Sequence, residues 1–253
     1  MTRTWQIGIR WVILICCCAG LWSCQTDRTI EGGLSYRYKQ PSQDGIGKIY
    51  MGREISQVMG YEGAYWLERP SRELQEHPQL VIDLLELAPD AVVADLGAGS
   101  GYMTQRLAKA VPDGKVFAVD VQPEMIELLN QRITEEKLTT IEPLLGKTDD
   151  PHLPDASLDL ALMVDVYHEF EYPHEMMQHL WAALKPGGRA VLAEYRAENP
   201  LVMIKRLHKM SEQQVKRELQ AMGFEWLKTD ESFPQQHLLF FAKPVVAALQ
   251  PSS

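Results

Sequence analysis

Asp95-Leu96-Gly97-Ala98-Gly99-Ser100-Gly101 places a carboxylate two residues ahead of three alternating glycines. A glycine turn between an apolar strand and an amphipathic helix can hold NAD, FAD, a phosphate group or S-adenosylmethionine. The spacing here is G-x-G-x-G, whereas the dinucleotide fingerprint is G-x-G-x-x-G. Asp95 discriminates more strongly. A carboxylate at the strand end repels an arriving pyrophosphate and favours a ligand with a cationic group. S-adenosylmethionine carries an α-ammonium and a sulfonium and has no phosphate.

A second acid follows at the right interval. Asp120, in "KVFAVDVQPEM", stands about 20 residues past the glycines, where a strand-end carboxylate accepts the hydroxyls of a ribose. A third acid, accepting from the adenine amino group, is expected in "GKTDDPHLP", with Asp149 favoured and Asp150 the alternative. Gly97, Ala98, Gly99, Gly101, Val121 and Asp165 complete the expected cofactor contacts. In a parallel α/β sheet the reacting groups sit beyond the carboxyl ends of the strands. That rule selects Asp165-Val166-Tyr167-His168-Glu169 and Glu194-Tyr195-Arg196. His168 is the candidate general base because imidazole titrates near neutrality; Glu194 and Tyr195 are further catalytic candidates. A packing role for His168 is the alternative reading. His168, Glu169 and His174 lie close in "HEFEYPHE", but Pro173 interrupts a helix there and the His-Glu-x-x-His spacing is missing. No metal is therefore expected.

These residues need a scaffold, and the pattern of the chain supplies one. Apolar runs at Ala91–Leu96, Val116–Asp120, Thr140–Leu145, Leu158–Val164 and Arg189–Glu194 read as strands. Helical patterns cover Gly101–Val111, Pro123–Lys137 and Pro173–Leu184, with breakers at Pro112-Asp113-Gly114 and Pro186-Gly187-Gly188. Ser211 with Gln214 reads as a capping box, and "FEWLKT" and "QQHLLFFAKP" as a terminal hairpin. Strands alternating with helices give an α/β fold, a parallel sheet between two helical layers.

"VVADLGAGSG", "VFAVDVQPEM", "PDASLDLALMVDVYHEF", "LKPGGRAVLAEY" and the late "GFEW…HLLFFAKP" occur in order, and with them the chain resembles class I S-adenosylmethionine-dependent methyltransferases. The resemblance covers about Ala91 to Lys243. It implies a Rossmann-like three-layer sandwich with a seven-stranded, mostly parallel sheet whose last strand is antiparallel. It also implies Asp95, Gly97 and Gly99 around the methionine end of the cofactor, and Asp120 on the ribose. Lys147 follows Gly146 where many members carry an acid, a departure that leaves the adenine-facing residue open between Asp149 and Asp150.

The ends of the chain carry other information. All four cysteines of the 253 residues fall at Cys16, Cys17, Cys18 and Cys24, so the rest has neither a disulfide nor a thiolate site. Arg3 and Arg10 precede an apolar run ending in Leu21-Trp22-Ser23-Cys24, which resembles the lipobox of bacterial lipoproteins, cut before a cysteine that is then acylated. The expected organisation is a signal peptide (1–23), lipidated Cys24 with a polar tether (24–46), a helical cap (47–90), the core (91–245) and a disordered tail (246–253). An exported lipoprotein must obtain a cytosolic cofactor; an N-terminal anchor on the cytosolic side removes that problem. A net charge of −9 argues against a general nucleic-acid binder. The expected partners are a membrane, through the lipid anchor, and a small-molecule or lipid-like acceptor. Tyr61, Trp66 and Arg69 are possible cover for the site, and Lys205, Arg206, His208 and Lys209 an anion-binding segment or a solvated loop. The alternative to catalysis is a ligand-binding lipoprotein that reuses the fold without turnover.

Overall fold

A computed structural model describes residues 27–29 and 35–245. The signal segment 1–23, Cys24 and the tail 246–253 lie outside the described residues. The described residues begin with four short antiparallel strands, β1 (Asp27–Thr29), β2 (Ser35–Tyr38), β3 (Gly45–Tyr50) and β4 (Arg53–Ser56). Three short helices follow, α1 (Ala64–Leu67), α2 (Arg72–Glu76) and α3 (Pro78–Leu84). Then come β5 (Val92–Leu96), α4 (Thr104–Ala110), β6 (Lys115–Asp120), α5 (Pro123–Glu136), β7 (Ile141–Leu145) and β8 (Leu158–Val164). The chain continues with α6 (Pro173–Ala183), β9 (Leu184–Tyr195), α7 (Glu212–Ala221), β10 (Glu225–Asp230) and β11 (Gln236–Ala242).

The last seven strands form one sheet in the order β10-β11-β9-β8-β5-β6-β7. β5 to β9 are parallel, and β11 runs antiparallel to both neighbours. Side chains alternate between two cores along each central strand, as the pleat requires. Val93, Leu160, Val191 and Leu238 face the helices α3, α4 and α5; Ala94, Ala161, Leu192 and Leu239 face α6 and α7. Burial on both faces explains why "LDLALMV" and "HLLFFA" are almost continuously apolar. Ser211 caps α7 as expected, accepting a hydrogen bond from Gln214 N at 3.1 Å. β9 starts earlier than its sequence pattern. Leu184 already pairs with Leu158, and Pro186-Gly187-Gly188 lies within the strand, where Gly187 N donates to Lys243 O.

The N-terminal region departs from expectation. Residues 35–46 are not a bare tether, and residues 47–56 are strand, not helix. Tyr36, Tyr50 and Ile55 are buried in a small core of their own. The β3–β4 connection is Met51-Gly52, with φ of +45° and +95°. Both residues of a tight hairpin turn of this kind need positive φ, and methionine in the first position is a poor advertisement for it. The small sheet is fastened to the main body by buried polar contacts. Arg53 Nε is 2.7 Å from Glu218 Oε1, and Tyr167 OH donates to Glu218 Oε2 at 2.8 Å. Tyr36 OH donates to Glu175 Oε2 at 2.5 Å.

Glu218 is fully buried, so removing it strands the Arg53 charge. Glu218→Ala is expected to lower unfolding stability in urea by about 3 kcal/mol or more. Glu142→Ala, which breaks only the exposed pair with Lys115, is expected to cost less than about 1 kcal/mol.

Candidate active site

The carboxyl ends of β5, β6, β8 and β9 meet at one edge of the main sheet. Leu96 is opposite Val119 and Met163 there, and Val164 opposite Ala193. A cleft of about 570 Å³ opens at this edge. The glycine turn forms its floor. Gly97 N and Ala98 N both donate to Val119 O, at 2.8 and 2.9 Å, tying the turn to β6. Gly97 has φ of +72°, and a Cβ there would lie 2.4 Å from Val166 Cγ2, so only glycine allows the loop after β8 to approach. Asp120 accepts from Gly99 N and from Gln122 N, each at 2.9 Å. Burial pushes the Asp120 carboxyl above the usual carboxylate range, against the pull of these N–H groups.

Of the residues expected at the site, Gly97, Gly99, Asp120, Val121, Asp165, His168 and Tyr195 line the cleft. Others do not. Asp95 is buried behind the turn, where it accepts from Thr104 Oγ1 at 2.6 Å, and burial pushes its carboxyl up to about 6. Ala98 and Gly101 are also outside the wall; a Cβ at Gly101 would meet Leu129. Asp149 is exposed, and Asp150 accepts from His152 N, turning the loop so that Thr148 reaches the cleft. The acid facing the turn is instead Asp165. It adopts φ of +51°, its Oδ2 accepts from Gln236 Nε2 at 2.8 Å, and its Oδ1 is buried without a hydrogen-bond partner. Burial, then the charges of Glu76 and Glu194, hold this carboxyl well above its ordinary range despite Arg72.

Arg72, which also lines the cleft, was not legible as a site residue. It pairs with Glu76 Oε2 at 2.5 Å. Glu76 also binds Arg69 and accepts from Tyr195 OH at 2.8 Å, so the Tyr195 hydroxyl is already committed. Trp66 lines the cleft with the Arg69 guanidinium stacked 3.4 Å from its ring, whereas Tyr61 lies outside. An arginine and a glutamate four apart in a short helix look in sequence like a solvated pair.

His168 is buried and doubly engaged. Its Nδ1 is 2.6 Å from Glu194 Oε2, while Glu194 Oε1 accepts from Tyr167 N at 2.9 Å. Its Nε2 faces Glu169 Oε1 at 3.7 Å. Burial alone would lower the His168 pKa, but Glu194 and Glu169 push it up to about 10. Burial likewise disfavours the Glu169 anion, and contacts with His168 and His208 reverse this and hold it down to about 2. The two carboxylates favour the protonated imidazole over the free base expected from its position. His174 is remote from it, at the start of α6, where its N donates to Tyr36 OH.

Residues 93–188 match the family model described as a methyltransferase domain. An uncharacterized methyltransferase of Mycobacterium tuberculosis is 36% identical over 127 residues, 50% of this chain and 47% of that protein. The chain spans about half or less of the length of the curated relatives it matches. This stretch is thus similar to methyltransferase domains. A crystal structure of a SAM-dependent methyltransferase from Aquifex aeolicus superposes with a TM-score of 0.70 at 24% identity, over 74% of this chain and all of that one. The [4+2]-cyclase SpnF shares the fold too, with a TM-score of 0.57 at 17% identity over 67% of this chain and 81% of that one. These likenesses show the fold of the sheet, and the chemistry must be argued from the residues.

The His168–Glu194 contact carries a pH signature. A histidine whose pKa rises from 6.5 to about 10 on folding stabilises the protein fully below pH 6.5, and this stabilisation is lost as pH rises through 10. With a chelator present, the stability difference between wild type and Glu194→Gln is expected to shrink steadily over that interval. Urea unfolding at several pH values measures it, and a difference that grows with pH would contradict the assignment.

Proposed function

We propose that the chain is an S-adenosylmethionine-dependent methyltransferase acting on a small-molecule or lipid-like acceptor. The observation that carries this reading is the pairing of Asp120 and Asp165 on either side of the glycine turn. Both are acceptors, as ribose hydroxyls and an α-ammonium require. The buried, unpartnered Oδ1 of Asp165 fits a cationic group, and Arg72 beside it fits the amino-acid carboxylate. A pyrophosphate at this turn would meet Asp165 instead of a donor. The donor set thus fits S-adenosylmethionine.

Bound there, the cofactor supplies an electrophilic methyl on a sulfonium. The protein contributes position and dryness. Asp120 and Arg72 orient, while Met59, Trp66, Leu67, Met203 and Ile204 supply apolar lining. Tyr65 and Met203, 79% and 91% exposed, make an apolar rim that suits an apolar acceptor. We further propose that the chain is a bacterial lipoprotein acylated at Cys24, which would hold this rim beside a membrane.

Titration of the full chain in detergent with S-adenosylmethionine is expected to give micromolar binding, with NAD at least tenfold weaker. Asp120→Ala and Asp165→Asn should each weaken S-adenosylmethionine at least tenfold. Equal binding of NAD would overturn the cofactor reading. Because a cyclase shares the fold, binding must be followed by a search for methylated product and S-adenosylhomocysteine; binding without either favours the non-catalytic lipoprotein. In cells, Cys24→Ala is expected to abolish labelling by a palmitate analogue. Undiminished labelling would refute acylation at Cys24.

A further inference from the structure

One group of side chains in the cleft has a use that the cofactor reading does not absorb. His168 and Glu169 belong to the turn after β8, and His208 to a single helical turn, Arg206–His208, between β9 and α7. All three line the cleft. Their ligand-type atoms lie within 4.8 Å of one another, with Glu169 Oε1 3.3 Å from His208 Nδ1 and 3.7 Å from His168 Nε2. Nitrogen and oxygen atoms bound at about 2.0–2.2 Å to one tetrahedral ion stand roughly 3.3 Å apart, so at most about 1.5 Å of closing is required.

The surroundings match a metal centre more closely than a chance cluster. His168 Nδ1 is occupied by the buried carboxylate of Glu194, which leaves Nε2 to point at the other two groups. A histidine held through its second nitrogen by a carboxylate is the usual support of a metal ligand. The backbone is fixed as well: His168 O accepts from Arg53 Nη1 at 3.1 Å and Ser56 Oγ at 3.2 Å. Glu169 Oε2 accepts from Met59 N at 3.3 Å, so Oε1 is the oxygen left for the histidines. Two neutral imidazoles with two carboxylates, Glu169 and Glu194, balance a divalent charge.

We propose that His168 Nε2, Glu169 Oε1 and His208 Nδ1 bind a divalent transition-metal ion such as zinc, with a coordination position open to the cleft. Two histidines and one carboxylate with an open position form a catalytic type of site. This reverses the expectation from sequence, which tested His168 and Glu169 against the wrong third residue. The role of the ion rests on the methyl-transfer reading: it would hold an acceptor hydroxyl or thiol as its anion, the released proton passing to water.

The test is titration of the chelator-stripped full chain with Co²⁺, followed by Zn²⁺ competition. The expected result is a set of visible absorption bands that Zn²⁺ removes. His208→Gln and Glu169→Gln should abolish them, His152→Gln should not, and Glu194→Gln should weaken Co²⁺ binding at least tenfold. Cobalt on the N-terminal cysteines is separable, because its near-ultraviolet thiolate band would persist in every variant. His208 is partly exposed and its variant should fold, checked by circular dichroism. Visible bands that survive both His208→Gln and Glu169→Gln would overturn the site. S-adenosylmethionine titration of the same samples keeps the two readings apart. Cofactor binding without metal defeats only the metal site, whereas metal binding without the cofactor defeats only the methyl-transfer reading.

Discussion

Two fully buried glutamates hold the active edge together. A carboxylate removed from water must find charged or hydrogen-bonding partners, and Glu194 and Glu218 find theirs in the same short segment after β8. Glu194 takes the backbone N–H of Tyr167 and the ring of His168. Glu218 takes the Tyr167 hydroxyl and Arg53. Three distant parts of the chain, β4, β9 and α7, therefore converge on residues 167 and 168. The position of the histidine follows from these demands more than from the loop that carries it.

The acids of the cleft differ for the same reason. Asp95 has a hydroxyl partner and lies behind the turn; Asp120 is satisfied by two N–H groups yet still lines the cleft. Asp165 alone among them leaves a buried oxygen unpaired. Its backbone also sits in the left-handed region, uncommon for a residue with a Cβ. Strain and an uncompensated polar atom at one residue are tolerated where neighbouring packing holds them, and such residues gather where ligands bind.

The central sheet was legible because strands buried on both faces have little choice of residue, and because proline and glycine mark their ends. The glycine turn and Asp120 were legible by spacing. Asp95 misled because its type and position are right while its direction is not. It shares a strand face with Val93, which packs against the helix side, and strand alternation carries it there. The N-terminal sheet was hidden by an unusual turn, Met51-Gly52. His208 was hidden more deeply, since no local pattern links a residue after β9 to one after β8. Asp149 lies outside the cleft wall for a third reason: backbone bonds from Gly146 to Asp120 and from Lys147 to Asp150 decide which way that loop turns.

The family match ends at residue 188, but the cleft does not. Met59, Trp66, Arg72, Tyr195 and His208 all come from outside it. Recombination that exchanged only residues 93–188 would move the glycine turn and Asp120 and leave these five behind. The incoming loop after β8 would then have to suit the resident Arg53, Ser56 and His208. The lining of the cleft thus sits on segments that can diverge at different rates. The small sheet before the domain is part of the heritable unit of this site, not an accessory to it.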